Sequence, residues 1–88
     1  MTKQSPRLRF WYVNCPVCQQ GRVFFEVRAD TQGMMLECED CSSAWDSPAQ
    51  VSATGSGYLG IDIDSRFADE ADIARFGLLS RNLQQATD

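Results

Sequence analysis

The sequence predicts a small α+β fold, a three-stranded antiparallel sheet with a C-terminal helical segment. Three observations predict it. Four cysteines fall into two C-x2-C pairs separated by nineteen residues. The segments around them are rich in β-branched and aromatic residues, which suit a pleated, half-buried surface. The last third of the chain carries matched helix start and stop signals. At 88 residues there is room for one domain, and so short a chain buries a limited share of its unfolded surface, so a supplement to the apolar core is expected.

The elements follow in order. Residues 8–13, Leu-Arg-Phe-Trp-Tyr-Val, read as a strand leading into the first cysteine pair, Cys15-Pro16-Val17-Cys18-Gln19-Gln20-Gly21. Arg22 to Arg28 (RVFFEVR) reads as a second strand with Val23, Phe25 and Val27 on one face. Asp30-Thr31-Gln32-Gly33 supplies turn chemistry before Met34-Met35-Leu36-Glu37, so a hairpin joins the two pairs. The second pair, Cys38-Glu39-Asp40-Cys41, runs on to Ala44-Trp45, with Trp45 covering the hairpin. Asp46-Ser47-Pro48 reads as the end of this module, since proline cannot extend a central ladder.

Residues 1–48 therefore form the first unit, residues 49–60 a Ser/Thr/Ala/Gly-rich loop, and residues 61–88 an acidic helical segment packed on the first unit in a single domain. Tyr58 to Asp64 could hold a short strand weakened by Gly60. Ser65 or Asp64 is a candidate cap for a helix over 67–76, with Arg75 near its end and Gly77 just past it. Leu79 and Leu83, at i,i+4 spacing, suggest a further helical piece over 78–85.

Charge is uneven. The net charge is −4, yet from Met1 to Arg28 five basic residues face one acid, and from Ala29 onward three basic residues face eleven acids. An acidic body disfavours a general nucleic-acid binder, which carries a basic footprint. The start, MTKQSPRLRF, lacks the apolar run of a secretory signal, and no later stretch is apolar over a membrane's width, so a soluble, cytoplasmic protein is expected. In a reducing cytosol, paired cysteines are more often metal ligands than disulfides.

The cysteine spacing falls within that of a zinc site. Each C-x2-C turn can aim two sulfurs at one point, and a hairpin can bring two such turns together into a closed tetrahedral shell. The expected ligands are Cys15, Cys18, Cys38 and Cys41, and the expected cofactor is a structural Zn2+, with iron the alternative for a thiolate tetrahedron. Binding free energy on the order of 10 kcal/mol would then be folding free energy. Two local disulfides or four free thiols are the plain alternative.

The residues CPVCQQG, followed by LECEDCSSAW, resemble the zinc-ribbon superfamily, whose knuckles follow C-P-x-C-x-x-G; the resemblance covers about residues 10–48. It implies a small zinc-clamped antiparallel sheet with the four cysteines as ligands. One departure is that Ala44 stands where the second knuckle would carry glycine, which puts the symmetry of the knuckles in question. More loosely, the W-D-S-P exit and acidic tail look like small bacterial proteins that serve as immunity proteins to toxins, which implies neutralisation of a toxin.

Other motifs weigh less. Gly55-Ser56-Gly57-Tyr58-Leu59-Gly60 matches G-x-G-x-x-G, but lacks the strand and helix that a dinucleotide site needs. Asp62 and Asp64 could face one side of a strand for a divalent ion, though any solvated strand gives this alternation. With no histidine, the commonest general base at neutral pH is missing, and no enzyme is expected.

Two surfaces remain. Phe10, Trp11, Tyr12, Phe24 and Phe25 with Arg7, Arg9, Arg22 and Arg28 could stack and flank single-stranded nucleic acid, or the aromatics could simply be core. Asp62, Asp64, Asp69, Glu70 and Asp72 crowd around Arg66 and could dock on a basic protein, such as a toxin domain, or could be a solvated helix face with acids near its N-terminus. The leading expectation is a non-enzymatic protein-binding zinc ribbon, with a nucleic-acid or transcription-associated ribbon as the alternative.

Overall fold

The computed structural model describes residues 8–54, 57–60, 62–78 and 83–87. Its central strand is Arg22–Arg28, the β-branched and aromatic run, labelled β2. Around it lie β1 (Leu8–Asn14), β3 (Met34–Cys38), β4 (Ser43–Trp45), β5 (Tyr58–Leu59), β6 (Ser65–Phe67) and β7 (Gln84–Thr87), with short helices α1 (Pro48–Thr54) and α2 (Glu70–Arg75). The strands form one sheet in the order β5-β4-β3-β2-β1-β7, with every pairing antiparallel and β6 added to β2 off that path. The α+β class expected from the sequence is the one observed. The expected antiparallel hairpin is present at the centre, and the sheet extends well beyond three strands.

One edge of β2 pairs with β3 along its length, through Val23↔Cys38 to Val27↔Met34. The other edge is shared: β1 takes its start, at Trp11↔Phe24, and β6 takes its end, at Glu26↔Phe67 to Arg28↔Ser65. Alternation sends Val23, Phe25 and Val27 to one side, where they join Phe10, Leu36 and Trp45 of the sheet, Val51 of α1, and Ala68, Ile73 and Leu78 around α2. Fully burying each large apolar side chain of this set contributes about 2 kcal/mol. The opposite face of β2 is also covered, by charged and aromatic side chains. Phe24 is 1% exposed, with the Arg9 and Arg22 guanidinium groups over its ring and Phe67 edge-on to it.

Four elements differ from the sequence reading. The loop expected over 49–60 contains α1 and β5. Pro48, read as a stop, stands at the first helical position, where its missing N–H costs nothing and its fixed φ suits the helix, and the Ser47 carbonyl accepts from Gln50 and Val51. The strand suggested for Tyr58–Asp64 stops at Leu59, and Ile63 N–H then donates to Gly60 O in a turn. The helix expected over 67–76 begins later. Ser65–Phe67 pairs with β2, which outweighs helix propensity there, and Asp69 is the cap, accepting from Asp72 N–H while the Asp72 side chain accepts from Asp69 N–H. Gly77 ends it with φ +77°, as expected of a residue past a helix C-terminus. Finally, within the helical piece expected over 78–85, residues 79–82 lie outside the described set and Gln84–Thr87 is strand β7, paired to β1 from Trp11↔Gln84 to Leu8↔Thr87.

Candidate metal centre

The cysteines sit where β1 turns into β2 and where β3 turns into β4, so the β2–β3 hairpin brings the two turns side by side. The four Sγ atoms all lie within 4.8 Å of one another, with Cys15–Cys41 and Cys18–Cys38 both at 3.6 Å. A zinc ion about 2.3 Å from each of four thiolates requires sulfurs about 3.8 Å apart, so two pairs match a tetrahedral site, the rest lie within about 1 Å of it, and the cluster is far too open for disulfide bonds at about 2 Å. Cys15 and Cys38 are buried, while Cys18 and Cys41 are half-buried.

The two turns repeat one local geometry. Cys15 Sγ accepts from Val17 N–H at 3.3 Å and from Cys18 N–H at 3.5 Å. Cys38 Sγ accepts from Asp40 N–H at 3.3 Å and from Cys41 N–H at 3.4 Å. Gln19 and Ser42, each the residue after its pair, adopt the left-handed conformation with φ 61° and 64°. The same amides and the same reversal recur in each turn, so the knuckles are alike in hydrogen bonding although Ala44 replaces the second glycine. Where they differ is the exit. A Cβ on Gly21 would lie 2.7 Å from Cys38 Sγ and 2.8 Å from Asp40 Cβ, so only glycine lets the start of β2 pass under the second knuckle. Ala44 has instead become a fully buried strand residue of β4.

The thiols are unequally prepared for a cation. Burial pushes Cys38 up to about 12. Burial opposes ionisation of Cys41 too, yet hydrogen bonding with the Ser43 hydroxyl and amide brings it down to about 6. Backbone hydrogen bonds at Gln20 and Gly21 lower Cys18. A bound divalent ion supplies the charge that the buried Cys38 lacks, and ligation must release protons. Four soft donors in a closed tetrahedron are the donor set of a structural zinc or iron site with no open position. Gly21 and Ser43 are site residues that the ligand spacing does not reveal; Gly21 alone was signalled, as the last residue of the C-P-x-C-x-x-G pattern.

The other candidate residues are placed separately. Arg7 lies outside the described residues. Arg9 packs between the rings of Phe24 and Phe67, 4.7 and 4.8 Å from their centroids, and Arg22 lies over Phe24 and Trp11. Arg22 also makes a two-pronged pair with Glu39, and Arg28 with Asp30. Phe10, Phe24 and Phe25 are buried, and Trp11 and Tyr12 are half-buried. Of the acids, Asp62, Asp64, Asp69 and Glu70 are exposed, whereas Asp72 is buried. The Arg66 guanidinium holds the Asp72 carboxyl far below the usual carboxylate range, and Arg75 lies 3.4 Å away. Asp62 and Asp64, with Ala29, Asp30 and Ile63, line an open depression of about 380 Å³. Among the described residues, no helix is long and apolar enough to cross a membrane. Comparison with protein-family models, with curated proteins and with solved structures finds no match to this chain.

Proposed function

We propose that the chain is a non-enzymatic zinc-ribbon module that recognises a protein partner through its acidic surface. The observation that carries the zinc reading is the closure of the cluster: four sulfurs within 4.8 Å of one another complete a tetrahedron and leave no position for substrate. Iron in the same shell is the alternative occupant. The partner reading is supported by how the charges are used. Arg22 and Arg28 are held by Glu39 and Asp30, and Arg9 is enclosed by aromatic rings, so among the described residues the three arginines of the candidate nucleic-acid surface are committed within the fold. Asp62, Asp64 and Glu70 project from exposed positions. A basic protein suits such a surface, through electrostatic steering and selection. A toxin domain neutralised by this chain, as its looser resemblance implies, is one such partner.

The test uses zinc-loaded protein immobilised in low salt, with partners captured from a lysate of the source organism, and compares wild type with Asp62→Lys/Asp64→Lys/Glu70→Lys. The expected result is capture of a basic protein that salt releases and the triple variant loses, with zinc content unchanged. Retained capture by the triple variant removes the acidic surface from the reading. Recovery of nucleic acid that is lost on Arg9→Gln would establish the alternative.

A further inference from the structure

The two knuckles are tied together by a contact that does not involve the sulfurs. Glu39 lies between the ligands of the second knuckle, and Arg22 begins β2 directly after Gly21, at the exit of the first. Four hydrogen bonds join them. Glu39 N–H donates to Arg22 O at 3.0 Å, Arg22 N–H donates to Glu39 Oε2 at 2.9 Å, and the guanidinium donates from Nε at 2.8 Å and from Nη2 at 3.0 Å. The guanidinium is itself held over Phe24 at 4.9 Å and Trp11 at 5.8 Å. An isolated pair with side chains 36% and 35% exposed contributes little to stability. This pair differs: it is two-pronged, it engages both backbones, and its cation is stacked on rings, which fixes geometry as well as adding energy.

We propose that Glu39 and Arg22 are positioning residues for the metal, an inter-knuckle clamp that sets the spacing of Cys38 and Cys41 against Cys15 and Cys18 before the ion binds. The inference rests on the tetrathiolate reading above. Outer contacts that orient ligands typically change metal affinity by roughly 10- to 100-fold when removed. Electrostatics alone gives the opposite sign at Glu39. Four thiolates on a divalent ion leave the centre with net negative charge, so deleting a neighbouring carboxylate should favour the loaded state, whereas deleting a clamp should weaken it.

The experiment measures zinc affinity of the full chain by competition with a chromophoric chelator, and records the charge-transfer and ligand-field absorption bands of the cobalt-substituted protein. Glu39→Ala and Arg22→Gln are expected to bind zinc roughly 10- to 100-fold more weakly, with altered cobalt bands. Glu39→Gln, which keeps one acceptor, should recover part of the loss, and Asp40→Ala, which removes a carboxylate from the same knuckle, should not weaken binding. Unchanged or tighter zinc binding by Glu39→Ala, with cobalt bands like wild type, overturns the clamp. Failure of the wild-type chain itself to bind zinc or cobalt overturns the tetrathiolate reading, and the clamp with it.

Discussion

The two ends of β2 are held by opposite means. At Arg22–Val23 the strand is fastened by polar groups: a guanidinium pair, the cysteine cluster and the amides that support it. At Glu26–Arg28 it is fastened by the apolar core on one face and by β6 on its edge, and it carries a carboxyl that is only 9% exposed. Burial raises Glu26 to about 7, partly offset by the Ser65 hydroxyl, which donates to it at 2.5 Å, while Glu37 on β3 raises it further. With a metal bound as proposed, the cysteine end requires deprotonated groups and weakens as pH falls, whereas the Glu26 end requires a protonated group and weakens as pH rises. One strand is exposed to opposite pH demands a few residues apart.

Removing the metal makes the largest change to this contrast. Chelation, or Cys38→Ser, is expected to forfeit on the order of 10 kcal/mol and unfold the chain, seen as loss of far-ultraviolet circular dichroism and exposure of Trp45. If instead Trp45 stays buried while residues 15–22 and 38–43 lose amide protection, the apolar end stands alone and the contrast sharpens into two separable units. Next, Phe25→Ala empties a fully buried ring site and is expected to cost about 3–5 kcal/mol in denaturant unfolding of the zinc-loaded protein.

The pH contrast follows. Glu26 has a folded-state value above the ordinary 4.5, so its contribution is most favourable below 4.5 and is lost as pH rises to about 7, up to about 3 kcal/mol. Glu26→Gln is expected to stabilise the zinc-loaded protein at pH 8 and to flatten that part of its pH–stability curve. A variant that titrates like wild type would show that another group carries the dependence. Smaller again, Asp72→Asn should cost about 2 kcal/mol, since it weakens a helix cap and the pair with Arg66 together. The exposed Asp64→Asn should stay within about 0.5 kcal/mol.

How much of this was legible in the sequence depends on the range of the determining contact. The clustering of Cys15, Cys18, Cys38 and Cys41, the β2–β3 hairpin and the Gly77 stop rest on local spacing and turn chemistry, and all are found. Pro48 does follow the end of β4, as read, but the helix it opens was missed because a proline that cannot extend a strand is equally suited to start a helix. Ser65–Phe67 and Gln84–Thr87 have weak local signals and become strands because β2 and β1 offer free edges, a fact of tertiary structure. Within the site, the C-x2-C pairs were evident, but Ser43 at the Cys41 sulfur and the Glu39–Arg22 pair depend on chain crossings that spacing does not encode. The same limit applies to the acidic cluster: Asp72 resembles its neighbours in sequence, and only its capping geometry shows that it is engaged inside the fold.

The pairing of β1 with β7 joins Leu8 to Thr87. During synthesis, then, β1 waits for nearly every following residue to be made before that edge is covered. The cysteines, all within the first half, leave the ribosome much earlier. With an ion bound as proposed, a nascent chain can set the β2–β3 hairpin while the C-terminal strand is still untranslated, and the β1 edge stays uncovered through that interval whether or not metal is at hand.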